Sequence, residues 1–98
     1  MSVQASISAE ARDELIEAAR HCDLESPGLG SRFLTAVEEA LRQLVTYPES
    51  APIVRRRLRR LPLRQFPYSL IYSFHDDEIR VLAVMNQKRR PFYWAGRR

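Results

Sequence analysis

Phe66-Pro67-Tyr68-Ser69-Leu70-Ile71-Tyr72-Ser73-Phe74, then His75-Asp76-Asp77-Glu78, then Ile79-Arg80-Val81-Leu82-Ala83-Val84-Met85 is the stretch that decides the fold. The first and last runs are rich in aromatic and branched side chains and read as strands. The polar quartet between them reads as a turn. A hairpin from Leu63 to Met85 follows. Whether its loop is two residues (Asp76-Asp77) or four, the same register results: Phe74 faces Ile79, Tyr72 faces Val81, Leu70 faces Ala83 and Tyr68 faces Met85. Side chains alternate along a strand, so these eight share one apolar face that must be covered. The other face pairs Ser73 with Arg80, Ile71 with Leu82 and Ser69 with Val84, and is expected to be covered only in part.

The cover lies upstream. Ala11, Leu15, Ala18 and Cys22 form one stripe at helical spacing, predicting a helix over Ala9–Cys22. Ser8 stands where an N-cap belongs, Glu10, Asp13 and Glu14 follow it at the positive end of the helix dipole, and Arg20 and His21 stand at the far end. Ser26-Pro27-Gly28-Leu29-Gly30 is a tight turn. A second helix, Gly30–Tyr47, carries Phe33, Val37, Ala40, Leu41 and Leu44 on one face and stops at Pro48. An αα-hairpin on a small antiparallel sheet is the expected architecture, α+β, as a single domain over residues 1–98. Val3–Ile7 is a further candidate strand, giving three or four in all.

Charge is segregated along the chain. Residues 1–52 hold four arginines against nine acids, a net of −5; residues 53–98 hold eleven arginines and one lysine against three acids, a net of +9. Six of those arginines fall in Ile53–Arg64, where an edge strand anchored by Leu58 would show Arg57 and Arg59 outward. A second basic run, Lys88-Arg89-Arg90, precedes Tyr93-Trp94 and Arg97. The end of the return strand lies beside the start of the strand before it. Lys88, Arg89 and Arg90 are therefore expected to meet Arg60 and Arg64 in one basic patch, facing an acidic or polyanionic partner. Tyr93 and Trp94 either cap the sheet or contact that partner.

Other classes are excluded by what is missing. The longest apolar run, Val81–Met85, is far too short to span a membrane, and residues 1–4 lack the pattern of a secretory signal. One cysteine, Cys22, permits no internal disulfide and no metal-ligand set; it continues a helix stripe and reads as an inert buried thiol. No cofactor is called for. A cytoplasmic protein is expected.

Three segments together resemble the RelE/ParE superfamily of toxins from bacterial toxin–antitoxin modules. They are Ser26-Pro27-Gly28-Leu29-Gly30 before Phe33; Arg64-Gln65-Phe66-Pro67-Tyr68 leading into Leu70-Ile71-Tyr72; and Val81-Leu82-Ala83-Val84 followed by Lys88-Arg89-Arg90-Pro91 and Tyr93-Trp94. The resemblance implies a helical hairpin on a small antiparallel sheet and a cognate antitoxin that wraps the toxin. It also implies one of two targets. RelE-like members cleave messenger RNA on the ribosome with Lys, Arg and Tyr, or in some with Glu and His. ParE-like members look like the same fold without the nuclease set and poison DNA gyrase.

This chain departs from the nuclease pattern. Ser69 follows Tyr68 where RelE-like nucleases place a base, and Asn86 stands where many relatives have His. Arg89 and Tyr93 do match the C-terminal basic residue and tyrosine, so Arg89, Tyr93 and Arg60 are the catalytic candidates if the protein is a nuclease. Cleavage by 2′-OH attack needs a base, an acid and a cation. Arginine supplies the cation but is too basic to move a proton, and an unperturbed tyrosine is a weak base. The expectation is therefore a non-enzymatic, ParE-like gyrase inhibitor. Its target-binding residues would be Arg57, Arg59, Arg60, Arg64, Lys88, Arg89, Arg90, Tyr93, Trp94 and Arg97. A ribosome-dependent mRNA endonuclease and a basic DNA-binding module are the alternatives.

Overall fold

A computed structural model describes residues 2–90 and 92–98; Pro91, which precedes the aromatic tail, lies outside the described residues. The elements run β1 (Gln4–Ile7), α1 (Ala9–Glu25), α2 (Leu29–Thr46), β2 (Ile53–Arg55), β3 (Leu58–Pro62), β4 (Tyr68–His75) and β5 (Glu78–Asn86). All five strands join one sheet in the order β1-β5-β4-β3-β2. The expected architecture of a helical pair on a sheet holds, with two corrections. The sheet has five strands rather than three or four, and it is mixed, because β1 runs parallel to β5.

The extra strand has a local cause. Ile53–Arg64 folds as two strands instead of one, joined by a turn at Arg56-Arg57 in which Arg56 takes a left-handed φ of 53°. Such a turn normally advertises itself by Gly, Asn or Asp. Here arginine fills it, so the sequence carries no turn signal. The β4–β5 turn does carry one: Asp76 and Asp77 both have positive φ (51° and 58°), which gives the two-residue form whose twist suits a hairpin.

The central hairpin pairs as expected from Phe74↔Ile79 through Tyr72↔Val81 and then slips. Ile71 pairs with Ala83, Leu70 with Val84 and Ser69 with Met85, so Leu82 is an extra residue on β5. A bulge of this kind turns every later side chain to the opposite face. Val84 therefore joins the helix-facing core with Tyr68, Leu70, Tyr72, Ile79 and Val81. Ala83 and Met85, expected there, instead line the second face with Ile71 and Trp94. The second face is thus a core of its own, covered by residues 92–98.

On the first face, α1 and α2 bury Ala11, Ala18, Cys22, Phe33, Val37 and Leu44. Phe33 meets Tyr68 and Phe66 with ring centroids 5.1 and 5.4 Å apart, in tilted and edge-on arrangements. The Tyr72 hydroxyl donates to the Pro48 carbonyl at 2.9 Å, pinning the loop that leaves α2. Ser8 caps α1 by accepting from the Ala11 N–H at 3.1 Å. The helix outruns its apolar stripe by three residues and ends where Pro27 forces Ser26 to be extended. Arg20 and His21 consequently sit inside the helix, paired with Glu17 and Glu25, rather than at its end.

α2 begins at Gly28 with φ 87° and no side-chain cap of its own. Asp23 supplies one from α1, its Oδ1 accepting from the Gly30 N–H at 2.7 Å. This closeness fixes Gly30: a Cβ there would lie 2.6 Å from the Ala19 carbonyl oxygen and 2.8 Å from the Asp23 carboxyl. Gly28, by contrast, has open space around it. Urea denaturation should separate the two. Gly28→Ala should cost about 1 kcal/mol for its left-handed backbone. Gly30→Ala should cost more, about 1–3 kcal/mol from overpacking with loss of the Asp23 cap added.

Candidate functional site: the strapped basic face

The site is best built from a backbone problem. β1 runs beside β5 only as far as Ile7↔Val81, and Ser8 N–H closes that ladder on the Val81 carbonyl at 2.9 Å. Beyond it β5 has lost its neighbour, just where Leu82 bulges. Free backbone groups buried at such an edge need partners. Glu14 of α1 accepts from the Val84 N–H at 3.1 Å, and Arg97 of the tail donates to the Leu82 carbonyl at 3.1 Å. Arg97 and Glu14 also pair with each other at 2.8 Å, with side chains 19% and 15% exposed. A helix, a strand edge and the tail are tied together at one point.

This tie lays the tail across the second face. Trp94 is 2% exposed and its Nε1 donates to the Met85 sulfur at 3.2 Å. Phe92 meets Trp94 edge-on at 5.4 Å and carries the Arg55 guanidinium over its ring at 5.6 Å. Tyr93 packs against the same cluster, with the guanidinium carbons of Arg89 and Arg97 at 4.3 and 5.2 Å from its ring centroid. Its hydroxyl is buried and makes no hydrogen bond among the described residues, although the Glu14 carboxylate is its neighbour. Burial, reinforced by Glu14, pushes this phenol far above the ordinary tyrosine range against the pull of Arg89 and Arg97.

The ten target-binding candidates divide sharply in this setting. Trp94 is core. Arg59 props the loop after α2, donating to the carbonyls of Glu49 and Ala51 at 3.0 and 2.7 Å and facing the Glu49 carboxylate at 3.6 Å. Arg97 is committed to Glu14 and Leu82, and Tyr93 is half-buried beneath two guanidinium groups. Arg60 lies on the second face with its Nε donating to Ser69 Oγ at 3.1 Å. Arg57, Arg64, Lys88, Arg89 and Arg90 are exposed.

The single patch expected from Arg60, Arg64 and Lys88–Arg90 is not what the side chains form. The two loops do meet, with Gln87 N–H donating to the Pro67 carbonyl at 2.9 Å. Arg64 then lines a groove with Glu39 and Gln43 of α2, Arg89 lines one with Glu14, Glu17 and His21 of α1, and Arg60 stays on the sheet. Cations converge elsewhere. Arg55, Arg56 and Arg57 of the β2–β3 turn and Arg97 and Arg98 of the tail line one groove of about 670 Å³. Arg55, Arg56 and Arg98 were not foreseen as site residues, because their meeting depends on the tail folding back over the sheet.

What this face can do chemically follows. The nuclease candidates give a cation, Arg89, and a phenol held protonated, Tyr93. The nearest carboxylate, Glu14, is occupied by Arg97 and a backbone N–H. Among the described residues no cluster of three or more His, Cys, Asp or Glu could hold a metal, and no helix is long and apolar enough to cross a membrane.

The fold and this face define a small α+β protein with an αα-hairpin on one side of a mixed sheet and a basic, aromatic strap on the other. The chain belongs to the ParE family: the model described as ParE toxin of type II toxin-antitoxin system, parDE, matches residues 5–91. Among solved structures it is similar to a chain of the "Chromosomal ParDE TA system from P. aeruginosa", at 18% identity and a TM-score of 0.76, covering 87% of this chain and 96% of that one. No curated protein matches the chain by sequence.

Two measurements test this description. A double-mutant cycle on Glu14→Gln and Arg97→Gln should give a coupling of about 0.5–3 kcal/mol, since the pair is largely buried and shares its backbone partners. The second is alkaline titration. Burial raises the phenols of Tyr68, Tyr72 and Tyr93. A phenol whose folded pKa exceeds its unfolded value contributes stability that is complete below about pH 10 and is lost as pH rises toward the folded value. Urea stability should fall above about pH 10, and phenolate absorbance from these three should appear only beyond the ordinary tyrosine range or on unfolding.

Proposed function

We propose that this ParE-family toxin inhibits DNA gyrase without covalent chemistry, acting in the cytoplasm through the exposed cations of its second face and its sheet end. We propose further that a cognate antitoxin, encoded beside it, neutralises it. The observation that carries the reading is the state of Tyr93. A residue required to shuttle protons during RNA cleavage must reach its substrate with a pKa near the working pH. The hydroxyl of this phenol is buried and held protonated, and its ring lies against the guanidinium groups of Arg89 and Arg97, the second of which anchors the tail. The geometry supports a structural tyrosine. Arg57, Lys88 and Arg90, in contrast, are exposed and available to an acidic surface.

Induction in a bacterium with and without the adjacent upstream gene tests the proposal. Filamentation with gyrase-dependent DNA breaks, suppressed by that gene, is the expected outcome. Combined Arg57→Gln, Lys88→Gln and Arg90→Gln should relieve growth arrest, raising the dose needed by about tenfold or more, equivalent to roughly 1.4 kcal/mol of target affinity. Rapid translation arrest with transcripts cut at ribosomal A-site codons would overturn it in favour of an mRNA endonuclease.

A further inference from the structure

We propose that the groove between the β2–β3 turn and the tail is a binding site for the phosphodiester backbone of a nucleic acid. Its walls are Arg55, Arg56, Arg57 and Leu58 on one side and Arg98 on the other, beside Arg97, whose guanidinium is already engaged by Glu14 and the Leu82 carbonyl. No acid lines it. Among the described residues Arg55, Arg56, Arg57 and Arg98 take part in no ion pair, although the chain has twelve acids to offer. The guanidinium groups of Arg55, at the end of β2, and of Arg56 and Arg57 in the two-residue turn repel one another, and Arg56 also bears a left-handed backbone that β-branched and bulky residues avoid. An anionic ligand lying along the groove would offset that repulsion.

The kind of anion follows from the neighbouring aromatic. Phe92 is 44% exposed and carries Arg55, one of the groove's arginines, over its ring. An exposed aromatic face interleaved with arginine is the surface on which nucleobases stack while their phosphates take the guanidinium forks. An acidic protein segment would gain little from it. The ligand contact is to backbone and carries no base code: no helix is offered to a major groove, since α1 has six acids against two arginines and both helices pack on the far face of the sheet. The site is therefore sequence-independent. It shares Arg57 with the surface proposed for gyrase but is otherwise a different set of residues, and it concerns nucleic acid alone, although DNA held by gyrase would be a natural occupant.

Fluorescence anisotropy with the full-length chain and labelled oligonucleotides, one single-stranded and one duplex, tests it across a salt series. Binding should fall with a log–log salt slope of about −2 to −3, as expected when three or so phosphates are neutralised. The variant Arg55→Gln, Arg56→Gly, Arg57→Gln should lose about tenfold or more in affinity and flatten the slope. Glycine at position 56 relieves the positive φ, so folding is preserved. Arg32→Gln with Arg42→Gln, on the exposed side of α2, should bind as the parent does. Should the turn variant melt early, Arg57→Gln with Arg98→Gln provides the same comparison without touching Arg56. Failure to bind either oligonucleotide, unchanged binding by the turn variants, or polyglutamate competing as well as DNA would overturn the proposal. Toxicity that depends on gyrase could survive each of those results, so the two readings fail separately.

Discussion

One carboxylate, Glu14, holds together three parts of the molecule that are distant in sequence. It accepts from the Val84 N–H on the open edge of β5 and from Arg97 in the tail, while Arg97 also reaches the Leu82 carbonyl. The need behind this is elementary: a strand edge enclosed by packing cannot leave its amides and carbonyls unpaired. β1 solves the problem for half of β5 and the Glu14–Arg97 pair solves it for the rest. Because Arg97 must be at that edge, the tail is drawn across the second face. Because the tail is there, Trp94 can seal Met85, Ile71 and Ala83.

Legibility in the sequence followed the range of the interactions involved. The helices, the Ser8 cap and the β4–β5 turn depend on residues within a few positions of one another, and the sequence displayed them. The Leu82 bulge did not show, because a single extra residue leaves an alternating apolar pattern readable in two registers. The Arg56 turn did not show because arginine occupies a conformation usually marked by glycine or asparagine. Glu14 was read as a charge at a helix N-terminus, a role its position suits; its partners, 70 and 83 residues away, were not visible from there. The Asp23 cap on Gly30 was hidden for a similar reason, since a capping residue is sought immediately before its helix.

The basic half of the chain teaches a related point about counting charges. A net of +9 over residues 53–98 suggested one broad cationic surface. Folding divides it. Arg59, Arg60 and Arg97 are consumed by carbonyls, a serine hydroxyl and a carboxylate, while Arg64 and Arg89 turn toward different helices. What remains as a concentrated field is the groove formed by the β2–β3 turn and the tail. Membership of the ParE family describes a fold and a biological context; the distribution of guanidinium groups is particular to this chain's own fold and edge contacts.

The parallel pairing of β1 with β5 has a kinetic meaning. The αα-hairpin and the β4–β5 hairpin close over short stretches of chain and can form quickly, whereas Gln4 must find Asp77, and Arg97 must find Glu14, across most of the polypeptide. Closures of that range carry the larger loop-entropy cost, so they set a slower folding rate than the two hairpins alone would have.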